Sequence, residues 1–186
     1  MKYRVAFVLG TLVAVLADPV VADYPDTSIY QLTSRITDQD GREHGLDAYR
    51  GHPVVITMFY GTCPHVCPLL ISTIQKTELA LAPEDRAKLR VLMVSIDPDN
   101  DTPQLLREVA DRHHVDDTRW KLTRASPADV RKIAAVLGIK YRKLPDGEFN
   151  HSTVLTLLDR EGVIRARTSR IPGIDEAFLD AIRGVD

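Results

Sequence analysis

Tyr60-Gly61-Thr62-Cys63-Pro64-His65-Val66-Cys67-Pro68 is the stretch on which both the fold and the chemistry of this 186-residue chain turn, and it holds both cysteines. Pro53, Val54, Val55, Ile56, Thr57, Met58, Phe59 and Tyr60 lead into it. That nearly continuous apolar series is how a central strand covered on both faces reads. Behind it Leu69, Leu70, Thr73, Ile74, Thr77, Leu79 and Leu81 recur roughly at helical spacing and predict a helix over 69–81. The cysteines therefore occupy a strand-to-helix turn. Unpaired N–H groups and the helix dipole favour negative charge there, so a lowered thiol pKa is expected. A thiolate attacks disulfides and binds soft metals, and this stretch alone leaves both uses open.

Outward from that turn, strands and helices alternate. A loosely alternating stretch at 29–37 meets Asp38-Gln39-Asp40-Gly41, whose Asp-Gly predicts a β-hairpin. Residues 46–51 read as a short helical turn closed by glycine, and 90–96 as a second buried strand. After a loop at 97–101, Thr102-Pro103 supplies the N-cap and N1 proline of a helix running to about His113. Trp120-Lys121-Leu122-Thr123 is extended, and Ser126-Pro127 caps a helix that ends at Gly138. Residues 139–142 read as extended, 144–149 as a loop and 153–158 as a third apolar strand. Arg160-Glu161-Gly162 turns the chain into 163–168, and 175–183 is a last amphipathic helix. This order implies an α/β sheet with right-handed crossovers. The closing hairpin and helix narrow it to a thioredoxin-like fold: a central mixed sheet flanked by helices, with an N-terminal β-hairpin.

Bulk properties set the compartment and exclude some partners. With 24 basic against 26 acidic residues, net −2, no basic patch points to nucleic acid, and 44% hydrophobic residues suffice for a core. Lys2 and Arg4 precede an uncharged apolar run at 5–17, shorter than the roughly 20 residues that span a bilayer. Val20-Val21-Ala22 offers small residues for cleavage before Asp23. Residues 1–22 read as a signal peptide, with an uncleaved inner-membrane anchor as the alternative. Residues 23–28 follow as a linker and 29–186 as a single domain. Export to the periplasm or another such compartment is expected. A purely structural disulfide fits poorly, because a bridge across so small a loop removes little unfolded-state entropy.

The spacing of Cys63 and Cys67 is one residue longer than the Cys-x-x-Cys of thioredoxin-type enzymes. Two soft thiolates aimed into one cavity favour Cu(I) or Zn(II), and a metal needs at least one more ligand. His44 and His52 read as surface residues, and His113-His114 as imidazolium suited to a helix end. His151, in Asn150-His151-Ser152 before the third apolar strand, faces the cysteine turn in this topology and is the best remaining candidate. His65 lies within the stiff loop itself and reads as exposed, with a fourth or entry ligand as the alternative. Asp97, at the end of the second strand, is a candidate to orient the site from behind. Asp97, Asp99, Asp101 and Glu108 imitate a calcium loop, but Thr102 replaces the glycine that loop needs.

Taken together, the Tyr60–Pro68 stretch, Val94-Ser95-Ile96-Asp97-Pro98 with Asp101-Thr102-Pro103, Trp120-Lys121-Leu122-Thr123 and Asn150-His151-Ser152 resemble the Sco/SenC family of copper proteins. The resemblance runs in family order over roughly residues 28–184. It implies an exported thioredoxin-like protein serving assembly of the dinuclear copper centre of cytochrome c oxidase. It also implies copper, as Cu(I) or Cu(II), held by Cys63, Cys67 and His151. The implied partners are a copper donor, a copper-enzyme client such as oxidase subunit II, and a thiol reductant protein near the membrane. The chain departs from the family at His65 and Asn150, where acidic residues are common, and 139–151 looks short for the family's hairpin insertion. The competing reading is a thiol–disulfide oxidoreductase or thiol peroxidase with Cys63 attacking and Cys67 resolving. Asn150-His151-Ser152 in place of that superfamily's proline favours the metallochaperone over the enzyme.

Overall fold

The structure, a computed structural model, describes residues 24–63 and 66–185. The leader expected at 1–22 and the side chain of His65 lie outside the described residues. A seven-stranded sheet runs in the order β2-β1-β5-β4-β3-β8-β9. Its strands are β1 Arg35–Asp38, β2 Glu43–Gly45, β3 Val54–Phe59, β4 Arg90–Ser95, β5 Trp120–Ala125, β8 Leu155–Leu158 and β9 Ile164–Thr168. β3, β4 and β5 are parallel, with Val54 opposite Arg90 and Val91 opposite Trp120. β8 runs antiparallel to β3, and β1 antiparallel to β5. This is the mixed α/β sheet flanked by helices that the residue pattern predicts, N-terminal hairpin included. Every residue of β3 is buried, which is why that segment carries no polar alternation.

The helices are α1 Val66–Leu79, α2 Pro83–Lys88, α3 Pro103–Arg112, α4 Pro127–Leu137 and α5 Glu176–Arg183. Thr102 and Ser126 cap α3 and α4 by accepting from Leu105 N and Asp129 N. Gly138 ends α4 at φ +71°, which suits a residue without Cβ. α1 begins earlier than the apolar spacing predicts and takes Cys67 into its first turn. α2 is an element the sequence reading lacks.

A second correction falls beside the site. The extended piece expected at 139–142 is β6 Tyr141–Lys143, and the loop expected at 144–149 ends in a strand, β7 Phe149–His151, that pairs back on it as a separate hairpin. His151 pairs with Tyr141 in it. The chain therefore does carry a hairpin here, in spite of the short segment.

Residues 24–28 have no regular structure but are tied down. Ser28 is buried, bridges to Val163, and accepts from Tyr30 N at 3.1 Å while donating to the Glu161 carbonyl. Gly162 makes this possible: at φ +78°, a Cβ there would lie 2.6 Å from the Tyr30 ring and 2.8 Å from Ser28 Oγ. Gly162→Ala is therefore expected to destabilise by about 2 kcal/mol, lowering Tm by roughly 4–8 °C. Calorimetry showing an unchanged Tm would contradict this packing. Among the described residues no helix is long and apolar enough to cross a membrane.

Candidate metal centre

The chain leaves β3 at Phe59, and Cys63 N–H closes a turn on the Tyr60 carbonyl at 3.2 Å. Gly61 permits a close approach. Its N–H donates to both oxygens of Asp101 at 3.1 and 2.9 Å, whereas a Cβ at this position would sit 2.8 Å from Asp101 Oδ1. Pro68 lies in the first turn of α1, where backbone N–H groups have no partner within the helix, so its missing donor is harmless.

The two thiols meet at this turn. Cys63 is half-buried, Cys67 is buried, and Cys67 N–H donates to Cys63 Sγ at 3.4 Å. The first turn of α1 thus aims an amide at the Cys63 sulfur, an arrangement that favours a thiolate there. The lowered thiol pKa expected of the turn does not hold for Cys67. Its hydrogen bond with Cys63, and then its burial, push its pKa well up. Two thiols in contact ionise together only when a positive charge joins them.

Tyr60 links the cysteines to the hairpin. Its hydroxyl donates to the Glu148 carboxylate, with the Cys63 side chain beside it. Its ring lies 5.2 Å from that of Phe149, and His151 stands nearly edge-on to it at 6.0 Å and 79°. Burial, followed by the Glu148 contact, raises the phenol's pKa.

His151 is half-buried, with Nδ1 3.2 Å from the Ser152 carbonyl. A carbonyl can only accept, so Nδ1 is the donor in that contact and Nε2 is the nitrogen left to face a metal. Imidazoles that bind metals through Nε2 are oriented in this way. Among the described residues, however, no group of three His, Cys, Asp or Glu is gathered closely enough to hold a metal. The fold brings Cys63 and Cys67 together and sets His151 against Tyr60 beside them.

Asp97 is buried, but its carboxylate accepts from Asn100 Nδ2 at 2.7 Å and pairs with Lys143 Nζ at 3.5 Å. The acid that reaches the cysteine turn is Asp101, fully buried and also bound by the Ser95 hydroxyl. Burial raises its pKa. Sequence reasoning passed over Asp101, Tyr60 and Glu148 as site residues. Only the run from Asp97 to Pro103, rich in acids and closed by a helix cap, carried a local signal for the first of them.

The other histidines stand elsewhere. His44 Nδ1 lies 3.0 Å from the Gly45 carbonyl, and its ring is edge-on to Tyr49 at 5.6 Å. His113 caps the end of α3, but burial and then Arg112 lower its pKa, which disfavours the imidazolium expected at that helix end.

Fold and site together define a thioredoxin-like α/β protein that presents paired thiols at a strand-to-helix turn beside a histidine-bearing hairpin. The SCO1/SenC family model matches residues 24–183, and the chain belongs to that family. A SCO1 protein homolog of Bacillus subtilis (strain 168) is 25% identical over 111 residues, 59% of this chain and 57% of that protein. An SCO2-like protein of Rickettsia prowazekii is 27% identical over 79 residues, 42% of this chain and 38% of its own length. The chain thus spans less than two thirds of these relatives. Among solved structures, a SCO1/SenC family lipoprotein from Bacillus anthracis superimposes with a TM-score of 0.74 at 24% identity, covering 81% of this chain and 91% of that one. ScoI of Bradyrhizobium japonicum, solved with copper bound, gives a TM-score of 0.64 at 26% identity over 81% of this chain and 96% of that one.

Proposed function

We propose that this chain is an exported copper metallochaperone that carries copper as cargo on Cys63, Cys67 and His151. The observation that carries the reading is the packing of Cys63 against Cys67 in one half-exposed turn. Two soft thiolates suit Cu(I), and an imidazole makes Cu(II) tolerable. The Nε2 lone pair of His151 is the natural third donor once its ring meets the sulfurs. Further support comes from the family and from its copper-bound member in Bradyrhizobium japonicum. Binding displaces the thiol protons and requires the reduced dithiol, so oxidation of the pair releases copper or blocks loading. Asp97 acts from behind by holding Lys143 of the hairpin.

The client we assign is the dinuclear copper site of cytochrome c oxidase subunit II, loaded directly or prepared by reduction of its cysteines. A copper donor and a thiol reductant protein complete the cycle. Residues 1–22 serve as the leader or anchor, 23–28 as its tether to one domain at 29–186, and the periplasm as its compartment. The lipoprotein relative from Bacillus anthracis supports attachment at a membrane surface. An oxidoreductase reading is disfavoured by Asn150-His151-Ser152, which stands where a thioredoxin-type enzyme has its proline.

The test is a Cu(I) titration of the reduced protein and of His151→Ala, with His44→Ala and His113→Ala beside it, and an insulin-reduction assay. We expect about one copper per chain, and an affinity roughly 10- to 100-fold lower for His151→Ala alone. Equal affinities in all four proteins, with brisk disulfide turnover, would refute the chaperone.

A further inference from the structure

We propose that Tyr60 and Glu148 form a latch that holds the β6–β7 hairpin, and His151 with it, in a metal-free position that copper capture must undo. The proposal rests on the metallochaperone reading for its purpose, but its geometry stands without it. Among the described residues the hairpin is a two-stranded sheet of its own, without a ladder to the main sheet. Side chains therefore do much to fix its position. The phenol hydroxyl of Tyr60 donates to the Glu148 carboxylate, and the Phe149 ring packs on the Tyr60 ring at 5.2 Å. Lys143 adds a second pin, reaching Asp97 at 3.5 Å and lying 5.4 Å over Phe149.

All these contacts draw the hairpin onto Tyr60. His151 ends edge-on to that ring and, among the described residues, is not gathered with the sulfurs into a metal-holding group. The Cys63 side chain lies beside the same hydroxyl. Copper that loads at Cys63 thus arrives beside the side chain that restrains the histidine, so loading at the thiols and closure of the hairpin meet at Tyr60. A ligand shifts such an equilibrium only by its preference for one of the two positions, and the latch sets the free-energy difference that copper must overcome.

Two variants test this. Tyr60→Phe removes the latch bond and leaves both the ring and the Glu148 charge in place. Glu148→Gln removes the charge at a half-buried position, where the fold is expected to tolerate it even if Tyr60→Phe does not. In the metal-free protein, amide exchange within Tyr141–Lys143 and Phe149–His151 should quicken about tenfold in Tyr60→Phe, as expected for loss of one charge-assisted bond, and severalfold in Glu148→Gln, whose amide oxygen still accepts from the phenol without the charge. Cu(I) affinity measured by competition with a chelator should rise severalfold in both. Unchanged exchange in the hairpin would overturn the latch, and so would a fall in affinity with Tyr60→Phe. If the wild type bound no copper, the chaperone reading would fail while the exchange comparison still decided whether the latch exists.

Discussion

Cys67→Ser is expected to lower Cu(I) affinity on the order of a thousandfold, about 4 kcal/mol, with little change in fold. Cys67 is 4% exposed and enters the first turn of α1 with its N–H on Cys63 Sγ. Serine keeps that backbone contact and nearly the same shape, but its hydroxyl is a hard donor that does not ionise near neutral pH. The pair then has one soft ligand in place of two, which Cu(I) does not accept in exchange. In the wild type the neighbouring thiol and burial hold the Cys67 proton firmly. Copper must displace it, so affinity should rise with pH, because binding releases protons. Chelator competition across a pH series measures both effects. Thermal melts of the metal-free variant should stay within about 1–2 kcal/mol of wild type, since the swap nearly conserves volume. A serine variant retaining affinity within threefold would remove Cys67 from the ligand set. Oxidation of the wild type to the Cys63–Cys67 disulfide should abolish binding by the same logic, reversibly with a dithiol reductant.

What the sequence made legible follows burial and capping. β3 and β4 were readable because central strands covered on both faces leave long apolar runs at 54–59 and 91–94. α3 and α4 announced themselves through Thr102-Pro103, Ser126-Pro127 and Gly138, all of which cap where expected. α2 was illegible to a search for apolar periodicity because none of its residues is buried. Its only signals are Pro83 at the start, Glu84 and Asp85 in the first turn, and Arg86 and Lys88 in the last. The β6–β7 hairpin escaped for a related reason. Its strands are only three residues each and bury none of them, so β6 read merely as extended and β7 as loop, with Pro145-Asp146-Gly147 marking only a turn.

The candidate site divides in the same way. The cysteine turn is local, and its spacing gave it away. Gly61 with Asp101, and Tyr60 with Glu148, are contacts between distant segments that no window of sequence contains. The thiol pKa went astray because the helix-terminus rule weighs one effect, whereas burial and a second sulfur dominate for Cys67.

Asp101→Ala should be the most damaging change outside the ligands, costing about 3 kcal/mol and lowering Tm by roughly 6–12 °C. Asp101 is fully buried, and its carboxylate receives Gly61 N–H on both oxygens and the Ser95 hydroxyl on one. Ser95 Oγ in turn accepts from Asp97 N at 2.9 Å, and Asp101 N donates to the Asp97 carbonyl at 2.9 Å. Alanine leaves the half-buried Gly61 amide and the fully buried Ser95 hydroxyl without these acceptors, which is the expensive way to lose a hydrogen bond. It also frees the start of the cysteine turn, so copper affinity should fall about 10- to 100-fold, as when a group that orients ligands is lost. Asp101→Asn is the discriminating variant, because it keeps the shape and one acceptor. Burial raises the Asp101 pKa above its ordinary 3.8, so the folded state holds that proton more tightly than the unfolded chain. The resulting stability is fully present below pH 3.8 and is lost as pH rises through the folded pKa. Asparagine has no such proton to lose. Its deficit relative to wild type should therefore be largest in acid and shrink as pH rises, in denaturant titrations run at matched ionic strength. A deficit that grew with pH would mean the carboxylate is stabilised as an anion by Gly61 and Ser95, and that the turn rests on charge where we place a buried, reluctant acid.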